Sequence, residues 1–378
     1  MIARRIHERD PSAEPNFFVC ANAVHRQIFR VKTEPTASAE VLPTHTPALF
    51  EAAVRRAAEA LRAGEVVALP TETVYGLAAN ALDARAVARI FQIKGRPASN
   101  PIIVHVAGVS MARRYVTEWP AAADELARAF WPGPLTLVLP RSPDILDIVT
   151  AGGGTVGVRW PSHPFIQAVI RACELPLAAP SANLSTELSP TNAQHVLKSL
   201  GDKARLIVDG GQSQVGIEST VLDLTRRPPR VLRPGMIRAE SLAVVIGELE
   251  KAGPETSNKE PLRSPGYFPR HYAPKARLVN LSWRDDSDLH RQLASLKARP
   301  QAVHVIAHSC IPAGDGLGRV SVIPHDAEAF ARAIYAELHQ CDQSGAELIA
   351  VESLPTGPEW RALADRLSRA AAQFCPSG

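Results

Sequence analysis

Apolar and polar positions along this 378-residue chain change period often enough to outline an alternating α/β protein. Thr46-Pro47 reads as a helix N-cap and first-turn proline. Phe50, Val54, Ala57 and Leu61 then recur on one helical face as far as about Arg62, and Gly64 stops the helix. Val66 to Leu69 is an unbroken apolar run of strand length. It breaks into Pro70–Leu77, read as a loop, before a short helix over about Ala84–Ile93 and a strand over Ile102–Val106. Helices are predicted over about Ala121–Phe130, Pro164–Ala172 and Ala239–Leu249, with one more between a Ser189-Pro190-Thr191 cap and Gly201. Strands are predicted over Leu135–Leu139, up to Arg159, and over Leu206–Asp209 and Val221–Leu224, while Leu177–Ala179 runs into Pro180 and Val231-Leu232 leads to Arg233-Pro234-Gly235. Several strands in near succession predict a mixed sheet.

Between Lys251 and Lys275 the pattern dissolves into Pro, Ser, Asn and Gly, the composition of an extended connection. Beyond it, strands over Arg277–Leu281, Val303–Ala307, Val320–Ile323 and Leu348–Glu352 alternate with helices near Asp288–Ala298, Ala327–Cys341 and Pro358–Ala371. That alternation predicts a smaller, Rossmann-like parallel α/β domain with helices on both faces. The expected organisation is an irregular extension over 1–45, a larger domain with a concave cleft over 46–250, a linker over 251–276 and the second domain over 277–378.

Composition changes this picture little. Hydrophobic content of 46% with 21% charged residues is ordinary for a globular protein, and 378 residues favour two domains. A net charge of +4 is too small to imply nucleic-acid binding by itself, though it leaves room for a local basic cleft. The 32 prolines cluster at strand ends and read as rigid connections. Five scattered cysteines without a Cys-x-x-Cys pair point to neither a zinc site nor a disulfide framework. No apolar run reaches about 18 residues, so no membrane span is expected. Residues 1–45 carry arginines, but Glu8, Asp10, Glu14, Glu34 and Glu40 exclude the acid-poor composition of an organelle-targeting peptide. A cytoplasmic location is the expectation.

Polar clusters sit at strand ends, where sites form. Lys94 and Arg96 suit either a solvated helix terminus or, with Asn100-Pro101 and His105 directly after them, an anion site. Arg159 ends a strand behind Gly152-Gly153-Gly154, an arrangement suited to a carboxylate or phosphate clamp or to a surface salt bridge. Ser181, Asn183 and Ser189 lie in a loop leading to a helix, Ser219-Thr220 opens a strand, and Arg233 suits either a site or a surface pair. No P-loop and no Gly-x-Ser-x-Gly elbow occurs, and paired glutamates in metal-ligand spacing are absent. Such a site binds and orients with hydroxyls and cations, and it lacks an obvious nucleophile.

Pro70-Thr71-Glu72-Thr73-Val74-Tyr75-Gly76-Leu77, Lys94-Gly95-Arg96-Pro97 with Asn100-Pro101 and His105, Trp131-Pro132-Gly133-Pro134-Leu135-Thr136, Ala179-Pro180-Ser181-Ala182-Asn183 and Glu218-Ser219-Thr220 together resemble the YrdC family. Arg233-Pro234-Gly235, with the later Ser264-Pro265-Gly266 and Arg270-His271-Tyr272-Ala273-Pro274, resembles its two-domain form, over about residues 47–378. The resemblance implies L-threonylcarbamoyladenylate synthesis from L-threonine, bicarbonate and ATP, with pyrophosphate released. The product would serve a tRNA threonylcarbamoyl-transferase complex that modifies adenosine 37. It further implies Mg²⁺ arriving with ATP, no dedicated protein metal ligands, no tightly bound organic cofactor, and at most weak contact with tRNA.

By the same resemblance, Thr73, His105, Arg159, Ser219 and the Ala179 backbone match threonine-binding positions. Arg96, Asn100, Thr155, Ser181, Ser189 and Arg233 match nucleotide-binding ones, while Lys94 and Arg96 would stabilise the triphosphate and departing pyrophosphate. One departure stands out. Where the family often has a tyrosine that contacts ATP, this linker reads Tyr267-Phe268-Pro269, which moves that contact to Tyr267 or Tyr272 or loses it. The linker is still expected to close over the cleft, anchored through Arg270 and His271. The competing expectations are an RNA-binding module, and carbamoyl or acyl transfer to another amine.

Overall fold

The structure is a computed structural model that describes residues 38–250, 263–265 and 272–372. Ten strands form its first sheet: β1 (Glu40–Pro43), β2 (Val67–Leu69), β3 (Gly76–Asn80), β4 (Val104–His105), β5 (Leu135–Pro140), β6 (Thr155–Arg159), β7 (Leu177–Ala178), β8 (Leu206–Asp209), β9 (Thr220–Asp223) and β10 (Arg230–Arg233). Their order is β1-β8-β2-β3-β7-β4-β6-β5-β9-β10, and the sheet is mixed as expected. It combines parallel neighbours, such as β4 and β6, with antiparallel ones, such as β5 and β6.

Two strands depart from the sequence expectation. Residues 40–43 belong to the sheet and do not continue an irregular extension: β1 pairs in parallel with β8, Glu40 opposite Leu206. β3 replaces part of the expected loop. Its Gly-Leu-Ala-Ala-Asn sequence has neither β-branched residues nor alternation, yet β2 and β7 flank it on both sides. Tertiary pairing has overridden propensity there. Two short helices, Val109–Arg114 and Asp147–Thr150, are too brief for a periodic signal. The helix Ala193–Leu200 is capped by Asn192, whose side chain accepts from His195 N at 2.9 Å, and not by Ser189 or Thr191. Other expectations hold closely. Thr46 caps the helix Pro47–Arg62, and Gly64 follows it at φ +75°.

The second sheet holds β11 (Arg277–Leu281), β12 (Val303–Ala307), β13 (Arg319–Val322) and β14 (Leu348–Glu352), in the order β11-β14-β12-β13. All its pairings are parallel. Leu278, Ile306, Ile349 and Val351 face the helices Ala327–Gln343 and Arg361–Ala371, while Val303, Val305, Leu348 and Ala350 face Leu289 and Leu293 of helix Asp286–Ser295. Helices therefore cover both faces, and each face has its own core.

The first of these cores crosses between domains. Val74, Leu188 and Ile217 pack with Phe330, Ile334 and Leu338. Gly216, at φ +84°, lies so close to Ala331 O that any Cβ would collide with it, so only glycine permits this approach. Arg332 Nε also donates to Gln214 O at 2.8 Å. The loop before β9 is thus clamped by the second domain. The linker residues Tyr267-Phe268-Pro269, Arg270 and His271 lie outside the described residues.

Candidate functional site

Backbone register assembles the site. β4 sits between β6 and β7, so His105 pairs with Arg159 on one side and Leu177 on the other. Ala179 N donates to Ile103 O at 3.1 Å, and Leu77 N to Pro180 O at 2.8 Å. These bonds bring the ends of β4, β6 and β7 against the turn before β3. The result is a cleft of about 560 Å³, open solvent at its mouth included. Thr73, Arg96, His105, Arg159, Ala179, Ser181, Ser219 and Arg233 all line it, as do Thr71, Glu218, Pro265 and Tyr272.

One end is built around Arg159. Its Nη1 donates to Thr73 Oγ1 at 3.0 Å, and its Nη2 lies 2.7 Å from Glu72 Oε1. Both partners of that ion pair are buried. The contact is one of charge without directed hydrogen-bond geometry, and Arg159 Nε has no protein partner. Burial pushes the Glu72 carboxyl up, but Arg159 and nearby backbone N–H groups together outweigh it and the net shift is downward, so Glu72 is a carboxylate. Thr71 fixes Thr73 in place. Its Oγ1 donates to Val74 O at 2.6 Å and lies 2.9 Å from Thr73 Oγ1. His105 is pushed down to about 3 by burial and by the nearby Arg159. It is a neutral imidazole, and its Nδ1 has no protein partner.

The other end holds Arg96 and Arg233. Arg96 donates from Nε to Asn100 O at 3.1 Å and from Nη2 to Pro101 O at 2.7 Å. Burial pushes it down to about 10, with Tyr272 opposing that shift and Arg233 adding to it. Arg233 donates to Ser219 O and Ser219 Oγ, both at 3.1 Å, and Ser219 Oγ lies 2.8 Å from Thr136 Oγ1. Gly235 allows this packing, since a Cβ there would collide with Thr220 N. Three guanidiniums, Arg96, Arg159 and Arg233, therefore converge on one buried cleft. Such a cleft favours an anionic ligand with several oxygens.

Four expected site residues lie apart from the lining. Lys94 is buried, and its ammonium donates to Ser181 O and Asn183 O. Burial, then repulsion from Arg96, lowers it well below an ordinary lysine. It pins the Pro180–Asn183 turn and does not face the cleft. Ser189 turns its hydroxyl to Glu218 Oε1 at 2.5 Å, behind the wall. Thr155 begins β6, at the opposite end from Arg159. Asn100 is 1% exposed, yet neither atom of its carboxamide has a protein partner.

Sequence reasoning missed Thr71, Glu72 and Glu218. All three stand inside the motifs quoted above, but nothing in their spacing says which side chains turn inward. Tyr272 was one of two candidates for the linker's contact. It lines the cleft, and its hydroxyl bonds to Arg233.

The sequence model of the Sua5/YciO/YrdC family, described as telomere recombination, matches residues 59–235. A second, described as the C-terminal domain of threonylcarbamoyl-AMP synthase, matches residues 237–372. The chain is 40% identical over 322 residues to a threonylcarbamoyl-AMP synthase of Pyrococcus abyssi, covering 84% of this chain and 93% of that protein. It is also 40% identical over 332 residues to the threonylcarbamoyl-AMP synthase of Bacillus subtilis, covering 84% and 92%. The crystal structure of P. abyssi Sua5 complexed with L-threonine superposes with a TM-score of 0.79 at 38% identity, over 88% of this chain and 96% of that one.

Proposed function

We infer the activity from one premise: the chain belongs to the Sua5/YciO/YrdC family, in the form that carries the C-terminal synthase domain. It is an enzyme that makes threonylcarbamoyl-AMP, with pyrophosphate released, for the threonylcarbamoyl modification of tRNA. The observation that carries this reading is the convergence of Arg96, Arg159 and Arg233 on a cleft that also presents the hydroxyls of Thr73, Ser181 and Ser219.

L-Threonine takes the Arg159 end. Its carboxylate meets the Arg159 guanidinium, and Thr73, the neutral His105, Ser219 and the Ala179 backbone meet its polar groups. Bicarbonate condenses with the amine to give a carbamate and water. A carbamate oxygen then attacks the α-phosphorus of ATP, and the bond to the β,γ-pyrophosphate breaks. Arg96 and Arg233 offset the charge that grows on the departing pyrophosphate, aided by Ser181. Catalysis of this kind rests on positioning and charge stabilisation. Asn100, with its unpartnered carboxamide, completes the nucleotide side. Thr155 and Ser189 stand further out, and Lys94 acts by holding the Ser181 turn.

Mg²⁺ enters as part of the ATP substrate. Glu72 and Glu218 are both engaged by arginines, and no group of three or more His, Cys, Asp or Glu side chains suited to a metal occurs among the described residues. The product passes to a tRNA threonylcarbamoyl-transferase complex. No helix among the described residues is long and apolar enough to cross a membrane.

The test is pyrophosphate release from ATP by the purified protein, with mass detection of the adenylate. Release should require both threonine and bicarbonate. Arg96→Ala should abolish it while leaving the circular-dichroism spectrum unchanged. Release without threonine sinks the reaction, and near-normal release by Arg96→Ala sinks the role of that residue.

A further inference from the structure

A side chain from the second domain backs the cleft wall through Glu218. Arg366, on helix Arg361–Ala371, is 1% exposed. Its Nε donates to Glu218 Oε2 at 2.8 Å and its Nη2 to Pro234 O at 3.0 Å. Glu218 divides its oxygens, because Oε1 accepts from Ser189 Oγ at 2.5 Å. Tyr335 O–H, also from the second domain, reaches Oε2 at 3.3 Å. The Arg366 guanidinium further lies 5.1 Å from the ring of Tyr272, which lines the cleft. One arginine thus touches the partner of Ser189, the residue next to Arg233, and the linker tyrosine.

Charge balance gives this contact a consequence. Burial pushes Glu218 up, but Arg366 and then Arg233 hold it below the usual range, so it is a carboxylate between two cations. Without Arg366, the nearest remaining cation is Arg233. The carboxylate would then compete with any phosphate for that guanidinium, and Ser189 would lose its fixed acceptor geometry. We propose that Arg366 is a positioning residue: by pairing Glu218, it orients Ser189 and keeps Arg233 available to an anionic ligand. The second domain therefore completes the nucleotide side of the cleft. This rests on the assignment of Arg233 to the departing pyrophosphate given above.

The test measures ATP and threonine dissociation constants by titration calorimetry on the full chain. Arg366→Gln removes the charge and leaves Arg233 as the cation acting on the Glu218 carboxylate. It should weaken ATP binding about tenfold, the weight of one charge-assisted hydrogen bond. Threonine binding should stay within about twofold, because the Arg159 end is untouched. Ser189→Ala should give a similar ATP loss, and the double variant should lose less than the product of the two, because both act through Glu218. If the single variants unfold, the neutral pair Glu218→Gln with Arg366→Gln leaves no orphaned charge and no carboxylate to compete for Arg233, and should bind ATP within about twofold of wild type. Unchanged ATP affinity in the single variants, equal weakening of both ligands, multiplicative losses, or a full tenfold ATP loss in the neutral pair would overturn the proposal. A wild-type protein that binds both ligands yet releases no pyrophosphate would refute the reaction and leave this inference standing.

Discussion

Thr73 illustrates how a single hydroxyl is made specific. It is 1% exposed and held between Thr71 Oγ1 and Arg159 Nη1. Thr73→Val preserves the shape and removes the oxygen, leaving two buried groups short of a partner. The cost to stability is roughly 1–3 kcal/mol. The threonine KM should rise about tenfold, with the ATP KM unchanged, as read from pyrophosphate release at varied substrate. Equal effects on both substrates would remove Thr73 from the threonine end. His105 beside it is too far depressed, at about 3, to titrate in any ordinary assay. The pH profile of the enzyme should therefore show no inflection from this residue.

At the level of elements, the hairpin of β9 and β10 aims Arg233. Its register slips between Val231 and Arg233, so Arg233 pairs with Val221 one residue out of step. A slip of this kind re-aims the side chain. Gly235 then packs against Thr220 N without room for a Cβ. Gly235→Ala should cost about 1–3 kcal/mol through overpacking and should weaken ATP binding by displacing Arg233. Thermal melting and ATP titration read the two effects separately. A stable variant with normal ATP affinity would show that the close approach is dispensable. Neither the slip nor the contact was legible in the residues, because each depends on which strand lies opposite.

Across the whole molecule, two neutral histidines meet at the domain boundary. His195 and His339 stack with ring centroids 3.9 Å apart. Burial, mainly, pushes them down to about 3 and about 4. Lys198 opposes protonation of both, whereas Asp342 favours it at His339. In the unfolded chain both would take up protons near the ordinary value of 6.5. Their stabilisation is thus complete above that pH and is lost as pH falls towards their folded values. Glu72 and Glu218, depressed from 4.5, add a second loss lower down. Urea midpoints should fall as pH drops from 6.5 to 4.5, and His339→Gln should flatten that slope. An unchanged slope in the variant would mean that the stack is not what couples stability to pH.

Much of the protein was determined locally. Helix caps, such as Thr46 before Pro47, and apolar runs of strand length follow from the chain's own dihedral and burial preferences, so the second domain's alternation was readable outright. The motifs were readable too, and eight of the twelve expected site residues line one cleft. What the residues could not determine was direction and partnership. Lys94 looked like a cation for a triphosphate and instead holds two loop carbonyls. Glu72, anonymous inside its motif, is the buried counter-charge of Arg159. Glu218 meets Arg366 across 148 positions of sequence. Pairings at such separations carry no local signature, because their favourable free energy exists only once the sheets and domains have packed and removed those charges from water.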